Sequence, residues 1–254
     1  MTDRAAADPA TARVLAALDR FQQGGRTARF WLRDDDAVAP TAALDRYLAL
    51  TSRAGVPVTL AVIPQDTGAA LDVRLAGEAN VTVALHGWSH VNHAGPGEKK
   101  QELGRHRPVD LVISELKAGF ETLSDLHEDR FIPLLVPPWN RISPDILPHL
   151  QPLGLTCLSV FGPEKTGPLP QINTHVDVMD WHGTRGGRDA AVLLSEVALR
   201  LETMAEGQSV GILTHHLVHD AAVGVFLEQL FALTSGHAGC AWVSARHLML
   251  DLQA

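Results

Sequence analysis

The order of apolar and amphipathic segments predicts an α/β fold, a parallel sheet wrapped by helices and closed or nearly closed into a (β/α) barrel of seven or eight strands. Three observations carry this. Short runs rich in β-branched residues alternate with helix-spaced runs through nearly all of the 254-residue chain. Seven or eight such units in one domain suit a barrel better than an open doubly wound sheet, and no Gly-x-Gly-x-x-Gly follows a strand, which counts against a dinucleotide-binding sheet. No flexible linker, internal repeat or low-complexity block divides the chain, so residues 1–254 read as a single domain.

Taken in order, Pro9 to Gln23 places Val14, Leu15, Leu18 and Phe21 on one helical face, and Gly24-Gly25 stops it. Ala28 to Arg33 reads as the first strand, followed by Asp34-Asp35-Asp36, then Pro40 and a helix over Thr41 to Ala54. Val56 to Ile63 is the second strand, and Gly68 to Ala76 a short helix. The third strand, through Val81, Val83 and Leu85, ends by delivering His86. The polar stretch from Ala94 to Pro108 reads as an extended loop able to cover a site, and Val109 to Leu126 as a helix. Phe131 to Val136 is the fourth strand, and Ser143-Pro144 starts a helix as cap and first-turn proline. Leu155 to Phe161 and Thr174 to Met179 are the fifth and sixth strands, Asp189 to Ala205 is helical, and Ser209 to Leu213 is the seventh strand. A helix over Ala221 to Ser235 and an irregular strand at Cys240 to Val243 complete the pattern.

A formal net charge of −8 with interspersed signs presents no basic face for phosphates, so nucleic acid is not expected as a partner. Met1 to Thr11 shows no basic head, apolar run and cleavage site, and no segment has the length to span a bilayer. A cytoplasmic protein without a membrane partner is the expectation. Cys157 and Cys240 sit in apolar surroundings and read as buried free thiols. Oligomeric state is left open.

The polar residues at the strand ends carry the functional reading. One acid would cap the helix after Pro40, whereas three together repel one another unless a cation is present. His86, His90 and His93 follow the third strand on a Gly-interrupted loop that can aim several rings at one point. Two imidazoles and a carboxylate can hold a divalent metal with positions open for water and substrate, although His-x-x-x-His alone is a weak signal and more often a structural pair. Asp34 to Asp36, His86, Arg141, Asp180 and His215 each fall just past a different predicted strand, which on a barrel is the active-site rim.

These residues resemble the polysaccharide deacetylase superfamily, the NodB-homology enzymes also called carbohydrate esterase family 4, over about Trp31 to His216 and through five short motifs in the family order. Asp35-Asp36 resembles the first motif, which implies Asp35 as general base and Asp36 as metal ligand; a third acid leaves Asp34-Asp35 open as the alternative register. His86 and His90 match the second motif and imply the other two ligands. Pro137-Pro138-Trp139-Asn140-Arg141 is similar to the third, although the family puts its arginine, which orients the catalytic acid, before the proline. Asp177-Val178-Met179-Asp180-Trp181 fits the fourth and Ile212-Leu213-Thr214-His215 the fifth, whose histidine is the general acid. The resemblance implies a distorted barrel and metal-dependent hydrolysis of an acyl group from nitrogen or oxygen. Zn²⁺ is the expected metal, with Co²⁺, Mn²⁺ or Fe²⁺ as alternatives.

Asp177 or Asp180 is the candidate to hold His215 or Arg141 in place. Trp88, Trp139 and Trp181 are candidate apolar walls for a sugar ring or acyl chain, with packing at the barrel mouth as the other reading. His93, His182 and His216 receive no role. Without an export signal, the expected substrate is a small sugar or amide rather than cell-wall polymer. Two other functions stay open: a non-catalytic carbohydrate-binding or regulatory protein on the same barrel, and a glycoside-processing enzyme using paired carboxylates such as Asp35 and Asp180.

Overall fold

The computed structural model describes residues 8–252; of the Met1–Thr11 stretch read above, residues 1–7 lie outside the described residues. Helix α1 (Pro9–Gln23) begins with Asp8 accepting the Thr11 N–H and Pro9 in its first turn. There follow β1 (Ala28–Ala37), α2 (Ala42–Ala54), β2 (Val58–Val62), α3 (Ala69–Leu75), β3 (Val81–Leu85), α4 (Val109–His127), β4 (Phe131–Leu135), β5 (Cys157–Leu158), β6 (Val176–Asp177), α5 (Ala190–Thr203), β7 (Ser209–Thr214), α6 (Ala221–Thr234), β8 (Cys240–Trp242) and α7 (Ala245–Asp251).

All pairings between these strands are parallel, in the order β5-β4-β3-β2-β1-β7-β6, with β8 beside the start of β1. The two ends of that path meet through isolated parallel bridges, Leu158 to Gln171 and Phe161 to Thr174, so the sheet curls into a distorted barrel.

Strand alternation builds two apolar layers. Phe30 and Leu32 of β1 face outward and join Leu60, Val62, Val83, Leu85, Val210 and Ile212 under the surrounding helices. Trp31 faces inward with Ala61, Ala84, Ile132, Leu134 and Cys157, and Ala245, Leu248 and Met249 of α7 close that floor. The small Ala61 and Ala84 leave room for the indole, whose N–H donates to the Asn173 carbonyl at 3.1 Å. Continuing up β1 on the same parity come Arg33 and Asp35, both buried. The inner column thus changes from apolar floor to ionic mouth within one strand.

Three differences from the sequence expectation have local causes. Ser143-Pro144 does not open an α-helix; the segment forms 3-10 turns at Leu147–His149 and Gln151–Leu153. Pro148 and Pro152 remove the N–H donors a continuous helix needs there. The fifth and sixth strands shrink to two residues each, because their chains pair with one another only at separated points. The first strand runs on through the acids to Ala37, with its register against β2 shifting between Asp34 and Ala37. No helix among the described residues is long and apolar enough to cross a membrane. Both cysteines are free, Cys157 buried and Cys240 partly so, and burial pushes each thiol up to about 12.

Candidate metal centre and active site

Three consecutive carboxylates take three directions. Asp34 follows the outward parity and Asp35 the inward one. Asp36 has φ 71°, a left-handed value that breaks the alternation and swings its carboxylate over the mouth. This is why a strand can deliver two adjacent acids to one site.

Asp36 Oδ1 lies 3.1 Å from His86 Nε2 and 3.3 Å from His90 Nε2. Asp36, His86 and His90 offer ligand atoms all within 4.8 Å of one another. His86 Nδ1 is 2.8 Å from the Val136 carbonyl, which can only accept, so Nδ1 carries the proton. Nε2 of a neutral His86 then turns a lone pair toward a carboxylate oxygen. Two acceptors face each other, an arrangement that suits a cation between them or a second proton on His86. Burial works against a charged Asp36, but the hydrogen bond and charge of His86, with His90, hold its carboxyl well below the usual range. Burial lowers His90, reinforced by its neighbour His86. The donor set, two nitrogens and one oxygen, fits a divalent transition metal.

Asp35 is held from within the barrel. Arg33, fully buried, donates from Nη2 to Asp35 Oδ2 at 3.1 Å and to Asn140 Oδ1 at 2.6 Å, and from Nη1 to Ser159 Oγ at 2.7 Å. Its Nε lies 2.9 Å from Asp35 Oδ1 but out of line for a hydrogen bond, leaving that oxygen buried without a hydrogen-bond partner. The arginine beside the candidate base is therefore Arg33. Arg141 is not brought there: its Nη1 donates to the Lys100 carbonyl at the surface. The third motif reaches the site through Asn140, which with Trp139 adopts a left-handed conformation, φ 57° and 54°.

Asp34 does the opposite job on the outer face. Its Oδ2 accepts from Thr214 Oγ1 at 2.7 Å and the His216 N–H at 2.8 Å, while Oδ1 pairs with His216 Nδ1. The Tyr47 hydroxyl lies 2.8 Å from Thr214 Oγ1 and extends the network. Residues on both sides of His215 are thereby tied down. His215 sits against the Trp181 ring at 4.7 Å, with its Nδ1 buried and unpartnered, and His219 Nε2 accepts its backbone N–H at 3.2 Å. His216 has a structural place that the sequence reading did not assign.

The fourth motif divides in two. Asp177, pushed up by burial, accepts from the Met179 N–H and from Trp181 Nε1 at 2.8 Å, beside His215. Asp180 instead accepts from Gly183, Thr184 N and Thr184 Oγ1, closing a turn on the rim. It is not brought to His215 or Arg141, and as a partner to Asp35 in a paired-carboxylate site it is already committed. Trp139 packs on His90 at 4.3 Å with Lys100 Nζ 5.9 Å above its ring, Trp181 is 41% exposed, and Trp88 is half-buried. His93 is half-buried and His182 exposed; neither joins the ligand cluster.

No family model matches this sequence, and no curated protein does. Solved structures do. A putative polysaccharide deacetylase from Mycobacterium smegmatis matches with TM-score 0.66 and 14% identity over 89% of this chain and 91% of that one. A family 4 carbohydrate esterase from Streptomyces lividans, in complex with acetate, matches with TM-score 0.56 and 17% identity over 84% and 91%. A family 4 acetyl xylan esterase from Clostridium thermocellum, in complex with a cobalt ion, gives 0.53 and 15% over 89% and 92%. The chain thus shares the distorted (β/α) barrel of these enzymes, and the resemblance read from the motifs holds at the level of the fold.

Proposed function

We propose that this protein is a metal-dependent hydrolase that removes an acyl group from the amide nitrogen of an N-acetylated sugar or other small molecule. The observation that carries the reading is the convergence of Asp36, His86 and His90 beside Asp35, with His215 on the same rim. The cobalt and acetate named for the matching esterases are consistent with it.

A divalent metal held by Asp36, His86 and His90, with zinc as first choice, supplies Lewis acidity at the acyl carbonyl when bound. The chain's own residues do the rest. Asp35 accepts the proton of the attacking water, and Arg33, whose Nε and Nη2 lie against its two carboxylate oxygens, fixes the direction of that group. His215 holds a proton for the departing nitrogen, which leaves as an amine because an amide anion is far too basic. Trp181 and Asp177 orient His215. Trp139 and Trp88 offer apolar faces to the substrate.

The test pairs metal analysis with turnover of N-acetylated sugars and small amides. Wild type should hold about one metal per chain and turn over a substrate, and a His86→Ala/His90→Ala variant should do neither. Asp35→Asn should keep the metal and lose roughly 10²- to 10⁴-fold in kcat. A wild type that holds no metal after incubation with Zn²⁺ or Co²⁺ would sink the proposal. Metal and sugar binding without turnover would move the protein to the non-catalytic carbohydrate-binding reading.

A further inference from the structure

The loop bearing His90 closes on a buried acid that no step above uses. Glu102 is 1% exposed, and no Lys or Arg side chain pairs with its carboxylate among the described residues. Arg107, the nearest candidate, donates instead to Glu115 and to the Glu102 backbone carbonyl. A carboxylate buried without a cation is disfavoured unless hydrogen-bond donors replace its water. Here four do. Oε1 accepts the N–H groups of Trp88 at 3.2 Å and Ser89 at 2.7 Å and the Ser89 hydroxyl at 3.1 Å, and Oε2 accepts the His90 N–H at 3.2 Å.

Outside a helix N-terminus, successive N–H groups are gathered onto one carboxylate by left-handed turns of the chain, and here these fall at Gly87 (φ 61°) and His90 (φ 55°). At Gly87 the space is filled as well: a Cβ there would stand 2.2 Å from Glu102 Oε2 and 2.6 Å from Pro138 Cγ. The strap carrying Glu102 is itself pinned, by Gln101 O on the His93 N–H, Asn92 Oδ1 on the Gln101 N–H, and Leu103 O on the Ser143 N–H. Asp36 and His86 sit on or next to strands, which fix them. His90 is the one member of the cluster whose direction depends on this loop.

We propose that Glu102 is a positioning residue of the metal centre: by gathering the N–H groups of residues 88–90 it holds His90 in the backbone conformation that completes the Asp36–His86–His90 cluster. The inference rests on the metal-hydrolase reading. A glutamine at 102 would keep the volume and present an amide group, itself a donor, to one set of these N–H groups.

Metal-free full-length protein would be titrated with Co²⁺ by calorimetry and visible absorption, alongside its own thermal midpoint without metal. Glu102→Gln should bind Co²⁺ roughly 10- to 100-fold more weakly, with an altered absorption band. Glu98→Gln, on the exposed part of the same strap, should match wild type. If Glu102→Gln fails to fold, Ser89→Ala removes one of the four donors and should weaken binding about threefold. A lowered thermal midpoint with unchanged Co²⁺ affinity and spectrum would reduce Glu102 to a structural prop and overturn the inference, leaving the proposed function standing. Absence of Co²⁺ binding by wild type would overturn both.

Discussion

The two walls of the barrel are built to different standards. In β1, β2 and β3 the strands run ten, five and five residues, and β2 pairs with β3 over five consecutive positions. Across the mouth, β5 and β6 have two residues each and meet only at separate bridges, with Phe161 and Trp181 left 45% and 41% exposed. The first wall holds Asp35, Asp36 and His86; the second carries Asp177 and Trp181 on irregular chain. Under the proposed function, the candidate base and two of the three candidate ligands sit on or beside continuous ladders, while His90 and the candidate substrate faces depend on loops.

The sharpest way to break this comparison is to cut the ionic column inside the first wall. Arg33→Ala leaves Asp35 charged and buried without its guanidinium, so unfolding free energy should fall by about 3–5 kcal/mol in chemical denaturation. A loss below about 1 kcal/mol would mean that the ladder, and not the Arg33–Asp35 pair, holds the inner column. Arg33→Lys should recover part of the stability and little of kcat, because an ammonium cannot reproduce the fork to Asp35, Asn140 and Ser159.

A second, smaller effect lies behind β7. His219 is lowered to about 4, by burial first, with the neighbouring His216 and His215 adding to it against the pull of Asp34. A histidine depressed on folding binds its proton more readily in the unfolded chain, so its share of stability is complete above about pH 6.5 and is lost as pH falls toward 4. The loss by pH 4 reaches at most about 3 kcal/mol. His219→Gln should flatten the acid side of the stability curve by up to that amount, with any offset that persists at pH 8 reporting only the lost packing on Tyr47 and the changed contact with the His215 N–H. Parallel curves for variant and wild type would show that His219 does not titrate there.

The better-built wall is also the one whose residues announced themselves. Period-two alternation in β1 and β3 ended at acids and histidines, and the motif resemblance picked out Asp36, His86 and His90 among them, whose ligand atoms the structure brings within 4.8 Å of one another. Arg33 went unassigned although the same parity carried it: Trp31, Arg33 and Asp35 share a face, and a charge at an inward position needs a partner there. Arg141 drew the role through motif composition, which fixes residue type and not direction; two left-handed residues before it turn it outward. On the second wall, apolar runs such as Leu155 to Phe161 look like full strands, but whether an apolar run pairs along its length depends on a distant neighbour. Glu102, inside a polar loop, had no local signature at all.

The smallest effect tests whether the looser wall contributes to chemistry or only to recognition. Trp181 stands edge-on to His215 and donates its indole N–H to Asp177 at 2.8 Å. Trp181→Phe keeps an aromatic face and deletes that donor, so the change isolates one hydrogen bond. With Trp181 41% exposed and its aromatic contact with His215 kept by phenylalanine, stability should hardly move. If Asp177 and Trp181 together orient His215, kcat should drop about five- to tenfold, near 1 kcal/mol, with KM nearly constant. A raised KM with kcat intact would make Trp181 a substrate face, and the division between the walls would then separate catalysis from recognition completely. A drop in kcat would mean that even a wall of two-residue strands holds one catalytic group in line, because Asp34, reaching from the rigid side to Thr214 and His216, fixes the backbone on either side of His215.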